Sequence, residues 1–526
     1  MVGVPKSKRC TFCKTRKTKC DEKWPTCGTC ARAGKVCSGA RNTFKFVVNG
    51  SHNELPDDSE SGIGTSGLPL ASTYVGNAGR RRHNEGTIMF DPKHIFIDGH
   101  SFEHSSTNLL SPMPWNAPDQ MIAHLVGCLD AAPGTGHDLR IVGAFLPLIP
   151  QRLISGNMAL CHAVELLLGA WTNSRRGLPS HTWLDLRTYN RALRSLKAAL
   201  DDANMEQLTN TLTALCILQK IEAMQVLYDF ARGSNQENHA AGLIAVINRS
   251  GPAQPMMEMA LHVTFESIFH MLQEDIRQGR ESDFHAPEWR RALEGAIDAS
   301  EIRPVLRHLY HLWVEMTTWP GLARLVRKLR QNSSDTITAA ELRMRAASLA
   351  QLLQHQDETI LASLAESGAI TKVENTTRPD LFPRCYKFAE FQTAKLFCSH
   401  ALFSVITCRF LQEADLVLGR RDPSLEKQAM RFSKRIWMAH PWMRNQTPLA
   451  VDFTAALVFS YESGNGEERE FCIAGLREMD SSRHPPPIGE WVEATIMANA
   501  KAYSGRLPFI KTQDPKVEYD GVGCRS

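Results

Sequence analysis

Six cysteines crowd into residues 10–37: Cys10, Cys13, Cys20, Cys27, Cys30 and Cys37. Their spacing is C-x2-C-x6-C, six intervening residues, then C-x2-C-x6-C again. The stretch is a tandem repeat of one metal-binding half. Zinc takes four soft donors at tetrahedral geometry, about 2.3 Å to each thiolate. Six thiolates fill the eight places around two ions only if two of them bridge, and the repeat nominates the first cysteine of each half. One ion then holds Cys10, Cys13, Cys20 and Cys27, and the other holds Cys27, Cys30, Cys37 and Cys10. A zinc closed by four protein sulfurs has no open coordination position, so the expected cluster is a scaffold with two Zn2+ as its cofactor. A single C-x2-C-x13-C-x2-C site would leave Cys20 and Cys37 unexplained at equal spacing. A disulfide framework suits an oxidising compartment. No apolar signal-like run follows Met1, and the expectation is a nuclear compartment with reduced thiols.

The two halves match in sulfur and differ in charge. Cys13-Lys14-Thr15-Arg16-Lys17-Thr18-Lys19-Cys20 places four cations among six residues, whereas Ala31-Arg32-Ala33-Gly34-Lys35-Val36 has two. Residues 1–40 hold ten Lys/Arg against two Asp/Glu, and six thiolates with two zinc ions leave a net +6. A compact face with that charge suits the phosphate backbone of double-stranded DNA, whose counterions are released on binding. Cationic side chains on a helix also reach guanine O6 and N7 in the major groove. The whole chain carries +4, so residues 41–526 carry −4 and the basic character is local. Lys6, Lys8, Arg9 and the run from Lys14 to Lys19 are the nuclear-import candidates, ahead of Arg80-Arg81-Arg82.

These residues resemble the fungal binuclear zinc-cluster regulators of the galactose-regulator type. The matching pattern is C-x2-C-[R/K]-x-[R/K]-K-x-K-C-D, then P-x-C-x2-C-x6-C, with Cys20-Asp21 and Pro25-Thr26-Cys27 in place. The resemblance implies that Lys17, with Arg16, reads base edges of a CGG triplet, while Lys14 and Lys19 contact phosphate. Lys14 stands where arginine is commoner; it keeps the charge and loses the bidentate fork. The implied function is regulation of RNA polymerase II transcription, with the transcription machinery as partner. The alternative is a DNA-tethered scaffold or repressor that acts mainly through protein partners.

The expected fold class is mostly all-α: a small two-zinc module (1–40), a mostly flexible linker (41–117), a large helical regulatory domain (118–510) and a tail (511–526). Residues 41–49 are β-prone. From Gly50 to Gly86 there are seven glycines and no apolar period. Gly62-Ile63-Gly64-Thr65-Ser66-Gly67 fits G-x-G-x-x-G but follows an acidic stretch where a dinucleotide fold needs a strand. Helical periodicity starts at about 118, where Met121, Ile122, Leu125, Val126 and Leu129 share a face. It continues at 157–171, 182–200, 206–232, 239–249, 256–277, 300–316, 338–364, 385–414, 425–439, 447–462 and 489–503. Tyr189-Asn190-Arg191-Ala192-Leu193 with Leu196 and Leu200 resembles a segment of the fungal-specific transcription factor domain. So do His239-Ala240-Ala241-Gly242-Leu243 and Arg249-Ser250-Gly251-Pro252. In physical terms Gly242 permits close helix packing and Gly251-Pro252 ends a helix.

Eight further cysteines lack paired spacing and read as buried thiols. Cys398, His400 and Cys408 share a helix without metal spacing. No G-x-S-x-G, H-E-x-x-H or P-loop pattern occurs, so no enzyme is expected. No run of about 18 uncharged apolar residues marks a membrane span. Residues 41–90 lack the sustained a/d heptads of a coiled coil. The protein is therefore expected to bind as a monomer or as a homodimer formed through the helical domain.

Overall fold

A computed structural model of the chain describes residues 11–20, 27–35, 117–130, 138–176, 178, 182–201, 207–225, 235–252, 256–445, 452–481 and 493–508. Cys10, Cys37, all but the last residue of the linker expected at 41–117, and the tail at 511–526 lie outside these residues. The fold is mainly helical, with a small N-terminal module and a large helical region.

The N-terminal module contains α1 (Thr11–Thr15) and α2 (Gly28–Arg32), which pack on each other. The helical region runs α3 (Ala117–Leu129), α4 (Ile149–Leu153), α5 (Met158–Arg175), α6 (Leu186–Asp201), α7 (Leu208–Gln225), α8 (Asn235–Ser250) and α9 (Glu258–Gln278). It continues with α10 (Pro287–Ala299), α11 (Pro304–Met316), α12 (Trp319–Gln331), α13 (Thr336–Gln356) and α14 (Ala362–Glu366). A hairpin of β1 (Ile370–Glu374) and β2 (Arg384–Phe388) follows, then α15 (Phe391–Val417), α16 (Pro423–Met443), α17 (Asp452–Ser460), α18 (Gly466–Ser481) and α19 (Glu493–Tyr503).

Local sequence sets many of the boundaries. Asn157 caps α5 by accepting from Leu160 N at 2.9 Å, and Asp335 caps α13 by accepting from Thr338 N at 2.9 Å. Prolines 287, 304 and 320 sit in first turns, where the missing N–H costs nothing. Gly251, at φ 72°, closes α8 as the Gly-Pro pair leads one to expect. A Cβ on Gly242 would lie 3.3 Å from Leu215 Cδ2, so the glycine lets α8 close on α7.

The core is organised around α15, which packs on α11, α12, α13, α16 and α17. By length and apolarity alone α15 could cross a membrane, but 94% of its most apolar window is buried inside the fold. Trp319, fully buried, meets the rings of Phe269, Phe403 and Phe459, and its Nε1 donates to Tyr503 O at 3.2 Å. One side chain thus joins α9, α12, α15, α17 and α19. Cys398, His400 and Cys408 are buried along α15, and His400 Nε2 donates to Leu353 O at 2.8 Å. Leu353 lies just before a π-helical turn at Asp357–Leu361, so the imidazole serves the backbone at an irregular point of the helix.

Two expectations need correction. The segment 385–414, read as one helix, begins as strand: Arg384–Phe388 pairs antiparallel with Ile370–Glu374, with Lys372 opposite Tyr386. Cys385, Tyr386 and Phe388 are buried while Arg384 and Lys387 are exposed; β2 packs on α16, and this packing outweighs the helical reading. Residues from about 118 onward are therefore not uninterrupted helix. Helices α4, α10, α12 and α18 also lie outside the expected spans. Pro320 lies in the first turn of α12, and Glu467 and Glu468 lie in the first turn of α18.

Candidate metal centre and nucleic-acid interface

Among the described residues of the N-terminal module, Cys13, Cys27 and Cys30 are buried, with Phe12 and Cys20 packed against them. Four sulfurs around zinc stand about 3.8 Å apart when each Zn–S bond is about 2.3 Å. Here Cys13 and Cys27 Sγ are 3.6 Å apart, and the Sγ atoms of Cys13, Cys20 and Cys27 all lie within 4.8 Å of one another. This donor set fits a zinc ion. Cys27 also caps α2, and its Sγ accepts from Cys30 N at 3.4 Å. A backbone donor on that sulfur suits a thiolate that is to carry extra charge. No disulfide occurs among the described cysteines.

The repeat in sequence is a repeat in backbone. In α1, Arg16 N donates to Phe12 O at 3.1 Å and Thr18 N reaches back to Cys13 O at 3.0 Å. In α2, Lys35 N reaches back to Cys30 O at 3.1 Å and Gly34 N to Ala31 O at 3.2 Å. Both helices close with the six-to-one bond of a Schellman turn, which needs a left-handed residue just past the helix. In the second half that residue is Gly34, at φ 60°. In the first half it is Lys17, at φ 53°, the one non-glycine residue with positive φ among the described residues. A lysine held where glycine is favoured carries roughly 1 kcal/mol of backbone strain or more.

The turn so formed is the cationic one. Thr15, Arg16, Lys17, Thr18 and Lys19 are all exposed. The Arg16 guanidinium lies 5.3 Å from the centroid of the Phe12 ring. Lys19 points outward while its carbonyl accepts from Thr29 Oγ1 at 2.9 Å, which ties the basic turn to α2. Lys14 lies in α1, and its side chain is outside the described set. The structure therefore brings Cys13, Cys20, Cys27 and Cys30 together beneath a contiguous Arg16–Lys19 surface. Phe12 and Thr29 also serve the site, and the sequence reading had not singled them out. The seventeen-residue offset that relates the cysteines also relates Lys17 to Gly34, a signal present in the sequence.

Residues 8–45 match the family model described as the fungal Zn(2)-Cys(6) binuclear cluster domain. A stretch of 63 residues is 33% identical to an uncharacterized transcriptional regulatory protein of Saccharomyces cerevisiae, covering 11% of this chain and 8% of that relative. No solved structure matches the chain. The N-terminus of the chain is thus a fungal Zn(2)-Cys(6) binuclear cluster domain, and its cofactor is a pair of zinc ions.

Proposed function

We propose that the protein is a nuclear, sequence-specific DNA-binding regulator of RNA polymerase II transcription that reads CGG-type triplets in the major groove. The observation that carries this reading is the exposed Arg16-Lys17-Thr18-Lys19 turn mounted on the cysteine core, with Lys17 in a strained backbone conformation. Strain of this kind persists where function requires a particular side chain. Cys10, Cys13, Cys20, Cys27, Cys30 and Cys37 hold the two ions, with Cys10 and Cys27 bridging. The zinc ions supply folding energy and fix the angle between α1 and α2. Lys17, with Arg16, addresses guanine edges; Lys14 and Lys19 neutralise phosphate.

The fungal cluster domain and the similarity to a transcriptional regulatory protein support a regulator rather than an enzyme. Residues 118–510 form the regulatory domain in this proposal, with the transcription machinery as partner and the homodimer contact, if the protein pairs, in the helices. Selection of bound sites from a random DNA pool with the full-length protein tests the reading. The expected product is a CGG triplet, and pools without an enriched triplet refute it. A band-shift series over paired triplets then reports assembly. Affinity that changes little with spacing is the expected result, because residues 41–90 carry no coiled-coil register.

A further inference from the structure

A second charged feature lies far along the chain. Between α5 and α6 is an open cleft of about 680 Å³, lined by His162, Asp185, Arg187, Thr188, Arg191, Arg194 and Ser195. Arg187, Arg191 and Arg194 are four and three residues apart, so one face of α6 presents three guanidinium groups. Like charges at this spacing destabilise a helix.

Two carboxylates offset part of this charge: Glu165 pairs with Arg191, and Asp185 acts electrostatically on Arg187. Asp185 is committed as the cap of α6: its Oδ2 accepts from Thr188 N at 3.0 Å and Thr188 Oγ1 at 2.6 Å, and its Oδ1 from Arg187 N at 3.3 Å. Arg191 pairs with Glu165 of α5 at 2.5 Å. Arg194 donates through Nε to Asn190 O at 3.3 Å. Neither Arg187 nor Arg194 forms an ion pair with any described residue.

The remaining polar groups supply an acceptor. Ser195 Oγ has one proton and donates it to Ala192 O at 2.9 Å. His162 Nδ1, 3.0 Å away, therefore donates to Ser195 Oγ, and the neutral ring carries its lone pair on Nε2. Burial, and secondly Arg191, hold the imidazole below its ordinary pKa, which favours that neutral form. This open surface cleft thus combines three exposed guanidinium groups with His162 Nε2 as an acceptor and with the Asp185 carboxylate.

We propose that this cleft binds a small dianion that also carries a hydroxyl group, of the phosphate-monoester or hydroxy-dicarboxylate class. Arg187 and Arg194 hold the anionic groups, Arg191 shares its charge between the ligand and Glu165, and His162 accepts from the hydroxyl. This site is separate from the DNA-reading turn and does not depend on it.

The test is isothermal titration of the zinc-loaded full-length protein with glycerol 3-phosphate and with malate, ionic strength being held constant with chloride. Arg187→Gln with Arg194→Gln is expected to weaken the preferred probe by at least about 10-fold. A control with Arg420→Gln and Arg421→Gln, both exposed and remote in sequence, is expected to bind as the wild type does. Saturable binding of either probe that is lost only in the first variant supports the site, and the preferred probe identifies the dianion class. Equal weakening in the two variants assigns the anion to general surface charge and overturns the proposal. So does a wild-type protein that binds neither probe.

Discussion

The strained lysine allows an experiment in which folding and DNA reading move in opposite directions. Lys17 stands at φ 53° where its counterpart in the second half is Gly34 at φ 60°. Lys17→Gly removes a left-handed penalty of roughly 1–2 kcal/mol. Glycine also gives the unfolded chain extra freedom, which returns about 0.5–1 kcal/mol of that gain. The net stabilisation is about 0.5–1 kcal/mol. Because metal binding is the folding energy of so small a module, it should appear as roughly two- to fivefold tighter zinc retention. The same substitution deletes the proposed base-edge contact, which should cost about 1–3 kcal/mol of discrimination, roughly fivefold to a hundredfold. The assay is chelator competition on the full-length protein, paired with binding isotherms on triplet-containing and scrambled DNA. Lys17→Ala separates the two effects, since alanine keeps the strain and loses the contact. Lys19→Ala should weaken both DNAs alike and lower the salt slope by about one. A Lys17→Gly protein that releases zinc more readily than wild type, or that keeps the wild-type ratio between the two DNAs, refutes the reasoning.

Native mass spectrometry should count two zinc ions on the full-length chain; Cys27→Ala should damage both sites, whereas Cys37→Ala should damage mainly one, and equal damage speaks against bridging. His440 is buried, and its pKa is lowered to about 4, first by desolvation and secondly by Arg444. Its unfolded value is near 6.5, so the unfolded chain binds the proton first and stability contributed by the neutral ring is lost as pH falls from about 6.5 towards 4. The full loss is roughly 3 kcal/mol, and urea denaturation at pH 7 and pH 4.5 should show a smaller difference for His440→Gln than for wild type. Gly505, at φ 79°, would place a Cβ 2.1 Å from Ala323 O, so the chain after α19 passes against the backbone of α12. Gly505→Ala should lower stability by about 2 kcal/mol or more in thermal unfolding, and an unchanged melting temperature contradicts that close approach.

The metal chemistry was legible from the chain because it depends on spacing alone. The C-x2-C-x6-C repeat is read without reference to the rest of the protein, and the excess of cations between Cys13 and Cys20 marks the half proposed to meet DNA. The helical class was legible for the same local reason. Segments such as α5, α9 and α19 carry an apolar period or an apolar run that any soluble fold must bury. Dihedral angles are not written in composition: Lys17 as a left-handed residue emerges only when its turn is set beside that of Gly34.

Long-range packing decided the rest. Residues 384–388 become strand because Ile370–Glu374 lies opposite and α16 lies beneath, partners that the local period does not contain. Helix α15 is apolar enough for a membrane, and only its burial among α11, α12, α13, α16 and α17 identifies it as the core. The cleft between α5 and α6 likewise needs His162 and Ser195, 33 residues apart, to meet. Spacing within a few turns of chain determines ligand sets and helical faces, whereas register, burial and clefts arise from contacts between distant segments, which the sequence of either segment alone does not encode.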